Sequence, residues 1–229
     1  MSTAATGRVA AIIPAAGSGV RLGADIPKAF LELGGLSLLT RSALAMSAVA
    51  DVLIIAAPID GLDEASAQLS QVDAEIHIVA GGEHRQESVA NALRMVPEDV
   101  AIVLVHDAAR PLVPMKVTQD VVSAVRNGAK AVIPVISLVD TIKRVNNQGV
   151  AIETVDRNQL RRVQTPQGFD RATLDLAYQN PEVVATDDAG LMDALGIPVV
   201  TVAGDESSLK ITTMSDVQHA LSLLEAISE

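Results

Sequence analysis

The chain has 229 residues, of which 49% are hydrophobic but only 1% aromatic, and its formal net charge at pH 7 is -11. That is enough for one large α/β domain whose core is built from Ala, Val, Leu and Ile. The charge excludes a broad nucleic-acid contact surface, and the absence of cysteine excludes disulfides, thiolate metal sites and cysteine nucleophiles. Residues 1–8 lack the charged start and apolar run of a signal peptide, and no apolar run is long enough to span a bilayer. The expectation is therefore a cytoplasmic protein with no membrane association and no fused second enzyme.

Short β-branched runs alternate with helical patterns, the signature of a mostly parallel sheet covered by helices. Strands are predicted over 9–14, 52–57, 75–79, 101–106 and 131–135. Val89, Ala92, Leu93 and Val96 recur at i, i+3, i+4 and i+7 and mark one buried helix face. Val117, Val121, Ala124 and Val125 mark another. From about 137 to 167 the pattern turns polar and basic, with two short strands predicted over 140–145 and 150–155 around the turn Asn146-Asn-Gln-Gly149. This segment reads as a β-arm projecting from a single domain spanning 1–229, and such a hairpin is a common dimerisation device. A last helix is predicted to start at Ser215 as its N-cap and to bury Val217, Ala220, Leu221 and Leu224.

The first strand runs directly into Pro14-Ala-Ala-Gly-Ser-Gly-Val-Arg-Leu-Gly23, with Pro27-Lys28 beyond. Glycines at 17, 19 and 23 let backbone N–H groups approach phosphate oxygens. A dinucleotide fingerprint is excluded, because Leu22 stands where the third glycine belongs and no acid follows the second strand at Ala56-Ala-Pro58. A P-loop is excluded too, since no G-K-[ST] is present. Two cations remain, Arg21 inside the loop and Lys28 at its end. Fixed cations of this kind stabilise the charge that gathers on an α-phosphate during nucleotidyl transfer.

With Gly81-Gly-Glu-His-Arg-Gln-Glu-Ser-Val89, Val105-His-Asp-Ala-Ala-Arg-Pro111, Asp140-Thr-Ile-Lys143, Thr154-Val-Asp-Arg157, Thr165-Pro-Gln-Gly-Phe169, Thr186-Asp-Asp-Ala189 and Leu209-Lys-Ile-Thr212, the chain resembles the 2-C-methyl-D-erythritol 4-phosphate cytidylyltransferases over essentially its whole length. These are nucleotidyltransferases with a Rossmann-like sheet. The resemblance implies an α/β fold with that mostly parallel sheet flanked by helices, and transfer of CMP from CTP to methylerythritol phosphate with magnesium as cofactor. The substrate phosphate would attack the α-phosphorus in line, so no protein nucleophile is needed and catalysis is positioning and charge neutralisation. Arg21 and Lys28 would be catalytic. Arg157 and Lys210 would position the acceptor, helped by Thr141, Arg110, Asp107 and Thr186. The nucleotide would be held by Pro14, Ala15, Ala16, Gly17, Gly19, Gly82, Glu83, Ser88, Asp107 and Ala108, and the partner would be a second copy of the chain, docked through the arm.

Competing roles stay open for several of these residues. Thr186 could cap a helix starting at Asp187, Arg110 could pair with Asp107, Ser88 could lie on a helix surface, and Lys210 is expected on a strand. His77, His84, His106 and His219 have no mutual metal spacing and are expected to be structural or solvated. Two positions depart from the resemblance: Glu83 stands where an aspartate is expected, and Gly190 where a serine is. Alternative functions are a ribitol 5-phosphate cytidylyltransferase, disfavoured by Pro14-Ala15-Ala16, and a non-catalytic nucleotide-binding protein.

Overall fold

The computed structural model describes residues 7–17, 26–179, 183 and 185–228. Gly19 and Arg21, both expected in the nucleotide loop, lie outside these described residues. The first strand, β1 (Arg8–Pro14), is followed by a short hairpin of β2 (Glu32–Leu33) and β3 (Leu36–Ser37), then helix α1 (Leu38–Ser47). Next come β4 (Val52–Ala57), α2 (Leu62–Leu69), β5 (Glu75–Ala80), α3 (Arg85–Leu93), β6 (Val100–Val105) and α4 (Met115–Arg126). The second half holds β7 (Ala131–Ser137), β8 (Ile142–Val145), β9 (Ala151–Val155), β10 (Arg161–Val163), β11 (Gln167–Asp170), α5 (Arg171–Ala177), α6 (Asp188–Ala194), β12 (Val199–Ala203) and α7 (Met214–Ser228).

The central strands run β6-β1-β4-β5, all parallel, because each is joined to the next by a helical crossover. Beyond β6 the antiparallel β11 leads to β7, which pairs with β12 along one edge and with β10 and β11 along the other. Alternation along β1 divides the core. Val9, Ala11 and Ile13 pack on one face with Leu39, Met46, Leu69 and Val121, while Ala10 and Ile12 face Val89, Leu93, Leu174 and Met192 on the other. Period-2 side-chain geometry thus sends α1, α2 and α4 to one layer and α3, α5 and α6 to the opposite one.

The predicted arm is shorter than 137–167. β8 and β9 form a separate two-stranded sheet with Val145 and Ile152 exposed, but Arg161–Val163 returns to the main sheet as β10. The turn between β8 and β9 is held by Asn146, whose Oδ1 accepts the amides of Gln148 and Val150, and Gly149 takes φ 78°. Helix α7 begins at Met214, not after a cap at Ser215. Asp216 Oδ2 accepts Thr212 N, Thr213 N and Thr212 Oγ1, each at 2.7 Å, so the capping carboxylate reaches back from inside the first turn. Burial works against its ionised form, yet these hydrogen bonds hold the Asp216 carboxyl down at about 2. Among the described residues no helix is long and apolar enough to cross a membrane.

Candidate active site

Because β1, β4, β5 and β6 are parallel, their C-terminal ends open on one edge of the sheet. Chain order reverses between β1 and β6, which leaves a crevice where the following loops diverge. The ladders continue past the strand ends: Ala15 N donates to Ala56 O at 2.8 Å, Gly81 N to Ala57 O at 2.8 Å, and His106 N to Ile12 O at 2.9 Å. The three loops are therefore rigid extensions of the sheet. Gly81 is required for their approach, since a Cβ there would lie 2.4 Å from Ala16 Cβ.

A cleft of about 390 Å³ fills this crevice, and Pro14, Ala15, Ala16, Gly17, Gly82 and Glu83 line one side of it. Lys28, Ser88, Asp107, Ala108 and Lys210 line the remainder, so every described residue expected to hold the nucleotide is present. The backbone chemistry is more restricted than expected. The Ala15 amide is spent on Ala56 O, so only its carbonyl can address a base. Ser88 is buried rather than on a helix surface; its Oγ accepts Gly82 N at 3.0 Å and donates to His84 O at 3.1 Å, which aims the Gly82 loop. The Glu83 amide donates to Glu87 Oε2, and the Glu83 side chain is exposed.

A second cavity of about 170 Å³ adjoins the first and shares Arg85, Asp107 and Lys210 with it; Arg110 and Thr186 also line it. Asp107 is the hinge between the two. Its Oδ1 receives Arg85 Nε at 3.1 Å, and its Oδ2 lies 2.8 Å from Lys210 Nζ and 3.8 Å from Arg110 Nε. Burial alone would raise the Asp107 pKa, but Arg85 and Lys210 hold it far below the usual carboxylate range. Arg110 is further anchored by donating Nη1 to Ser208 O at 2.6 Å and Nη2 to Val163 O at 3.3 Å. Lys210 sits on an irregular segment rather than a strand. Buried Ile211 fixes it by donating its amide to Ala109 O, which leaves the lysine pointing at the site. Thr186 is not the cap of α6: Asp187 is, its Oδ1 accepting Gly190 N at 3.0 Å. Gly190 therefore acts through its amide, and a Cβ at that position would come within 3.0 Å of Ala185 Cβ.

Thr141 and Arg157 are the two expected acceptor residues that one chain does not bring to either cavity. Arg157, on a 3-10 turn after β9, donates to Val139 O within the arm. In the other direction, Arg85, which no motif role covers, lines both cavities. A cation in the first turn of a helix opposes the helix dipole, and that misfit was the visible signal. Thr165, likewise without an expected role, knits the site from behind. His106 Nε2 faces the Arg110 carbonyl at 3.1 Å and must donate to it, so Nδ1 accepts from Thr165 Oγ1, which in turn accepts the Asp107 amide. Among the described residues no group of three His, Asp or Glu could hold a metal ion.

Fold and cleft together define a nucleotide-binding protein of the Rossmann-like class. A family model described as IspD: 2-C-methyl-D-erythritol 4-phosphate cytidylyltransferase matches residues 9–226. A relative of that name from Frankia casuarinae is 47% identical over 222 residues, covering 96% of this chain and 82% of its own. Another from Saccharopolyspora erythraea is 46% identical, with 94% and 99% covered. Among solved structures, the 4-diphosphocytidyl-2C-methyl-D-erythritol synthase of Anaerococcus prevotii superposes with a TM-score of 0.84 at 29% identity, covering 96% of each chain. The Thermus thermophilus cytidylyltransferase does so with 0.79 at 33% identity, covering 95% and 99%. The chain belongs to the 2-C-methyl-D-erythritol 4-phosphate cytidylyltransferase family.

The buried His106 carries a pH prediction. Burial lowers its pKa from 6.5 to about 4, so the unfolded chain takes up this proton first as pH falls. The stability tied to neutral His106 is complete above about 6.5 and is lost as pH drops from there towards 4, by roughly 3 kcal/mol in all at ~1.4 kcal/mol per unit. Urea unfolding between pH 7 and 4 should show this slope in the wild type and a flatter one in His106→Gln; equal slopes would remove His106 as its source.

Proposed function

We propose that this chain transfers CMP from CTP to 2-C-methyl-D-erythritol 4-phosphate and releases pyrophosphate. The observation that carries the reading is the pair of adjoining cavities, one lined by strand-end backbone and the other by cations, with Asp107, Arg85 and Lys210 between them. Cytidine triphosphate would occupy the larger cleft, its base against the Ala15 carbonyl and the Gly82–Glu83 loop that Ser88 braces. The acceptor phosphate would lie beside Lys210 and Arg110, with Thr186 on the far wall. One of its oxygens attacks the α-phosphorus in line, the bond from the α-phosphorus to the α,β-bridging oxygen breaks so that the β- and γ-phosphates leave together as pyrophosphate, and no covalent enzyme intermediate forms. Lys28 on one side and Arg21 from the glycine loop would stabilise the charge on the α-phosphate. A single such donor is worth about 10²–10³ in rate.

Magnesium fits this site as a passenger of the triphosphate rather than as a resident of a protein cage. Asp107 is the buried carboxylate on the cleft wall, and it is already matched by cations. The ion would be held mainly by phosphate oxygens and water, with Asp107 at the edge, and when bound it neutralises triphosphate charge.

The reading includes a cytoplasmic homodimer of single-domain chains docked through the β8–β9 arm. Two features support it: the arm exposes Val139, Val145, Val150 and Ile152, and it keeps Thr141 and Arg157 away from their own chain's cavities. A partner's arm would deliver them.

Pyrophosphate release, measured with methylerythritol phosphate and each of the four ribonucleoside triphosphates, should be fastest with CTP. Preferential turnover of ribitol 5-phosphate would replace the acceptor, and no release with any pair would leave a nucleotide-binding protein. For the exchanged arm, Lys28→Ala and Arg157→Ala homodimers should each lose at least about 90% of turnover. An equimolar mixture of the two after subunit exchange should recover about a quarter of the wild-type rate, because half of the molecules are mixed dimers and one of the two sites in each is intact. No recovery would mean that each site is built within one chain.

A further inference from the structure

Arg85 does not merely touch Asp107. Its Nη2 lies 2.7 Å from Asp188 Oδ2, a charge contact rather than a well-angled hydrogen bond, and the Asp188 side chain is 1% exposed. The second Asp188 oxygen accepts the Tyr178 hydroxyl at 2.6 Å. A chain of four side chains thus runs from the Tyr178 position after α5, through the start of α6 and the first turn of α3, to the boundary between the cavities. Its members keep complementary states. Burial and the Asp188 charge push the Tyr178 pKa upward, so the phenol stays a donor, and the two carboxylates outweigh burial to keep Arg85 charged. Asp188 lines neither cavity, and the contact of its side chain that leads to them is the one with Arg85.

Taking the proposed reaction as its basis, we infer that Arg85 is a positioning residue, held by Asp188 and Tyr178, that occupies one oxygen of Asp107 and so limits how tightly Asp107 captures Lys210. The Coulomb argument is direct. Asp107 is shared by Arg85 on Oδ1 and Lys210 on Oδ2. If Arg85 is loosened, the less fully matched carboxylate draws harder on Lys210, with Arg110 at 3.8 Å sharing the remainder, and a lysine so neutralised holds an incoming acceptor phosphate less well. The base-binding side of the nucleotide cleft, formed by the Ala15 carbonyl and the Gly82–Glu83 loop, would feel much less of this.

The experiment measures KM for methylerythritol phosphate and for CTP in Asp188→Asn, Tyr178→Phe, Arg85→Lys and the double variant Asp188→Asn with Arg85→Lys. Asp188→Asn should raise the acceptor KM about tenfold and Tyr178→Phe about threefold, with the CTP KM within about twofold in both. The double variant should be no worse than Arg85→Lys alone, the non-additivity expected of one chain of contacts. An unchanged acceptor KM, equal rises in both KM values, or fully additive losses would overturn the inference; equal rises with a lowered melting temperature would mark a purely structural tie between α3 and α6. Should Asp188→Asn fail to fold, the shape-conserving Tyr178→Phe decides. Binding of inorganic phosphate, followed by chemical-shift perturbation at Lys210, supplies a readout independent of turnover. If the wild type has no cytidylyltransferase activity the proposed reaction falls, whereas weaker phosphate binding in Asp188→Asn and Tyr178→Phe would still support the positioning role and unchanged binding would overturn it.

Discussion

A carboxylate lifted almost wholly out of water stays ionised only where cations stand beside it. Asp107, at the mouth of β6, draws three: Arg85 from α3, Arg110 from its own loop and Lys210 from the segment before α7. Two of them come from distant parts of the chain, so meeting this one electrostatic demand brings α3, the β6 loop and the segment before α7 to the same point. The same carboxylate separates the two cavities and touches both. Its backbone is no less constrained, since the Asp107 amide ends in Thr165 and, through it, in the neutral His106.

The sheet makes that convergence possible. A core of Ala, Val, Ile and Leu packs α-layers closely on both faces of β1, β4 and β6, and the loops after β1, β5 and β6 continue the hydrogen-bond ladder instead of wandering. The Gly81–Ala16 contact and the Ser88–Gly82 bond then close the far side of the cleft. Hydrophobic burial sets the positions, and a small number of polar contacts sets the directions. This division of labour suits a reaction that needs placement and charge rather than a nucleophile.

What the sequence made legible follows the same division. β4 coincides with its prediction at both ends because six consecutive buried apolar residues between Asp51 and Pro58 allow no other reading. β10 and the first residue of β11 fall inside the expected arm, since Arg161-Arg162 and Gln167 look solvent-bound; the Gln167 side chain is in fact buried between Asp187 and the Ala189 amide. Helix α1 gave no clean stripe because it buries Thr40 and Ser42 along with Leu39 and Met46. At the site, every described residue expected to hold the nucleotide lines the larger cleft, because strand-end glycines and small residues have few other uses. The contacts that join Arg85 to Asp188 and Tyr178 are not legible, because a buried charge chain has no period and declares itself only when three helices meet.

The account rests on Asp107 as the shared charge of the two cavities, and Asp107→Asn tests it most directly. Calorimetric CTP affinity in the variant should stay within about threefold of the wild type, while kcat/KM for methylerythritol phosphate falls about a hundredfold. A variant that keeps its turnover, or one whose loss is matched by an equal loss of CTP affinity, would contradict the claim that this carboxylate organises the acceptor side of the site.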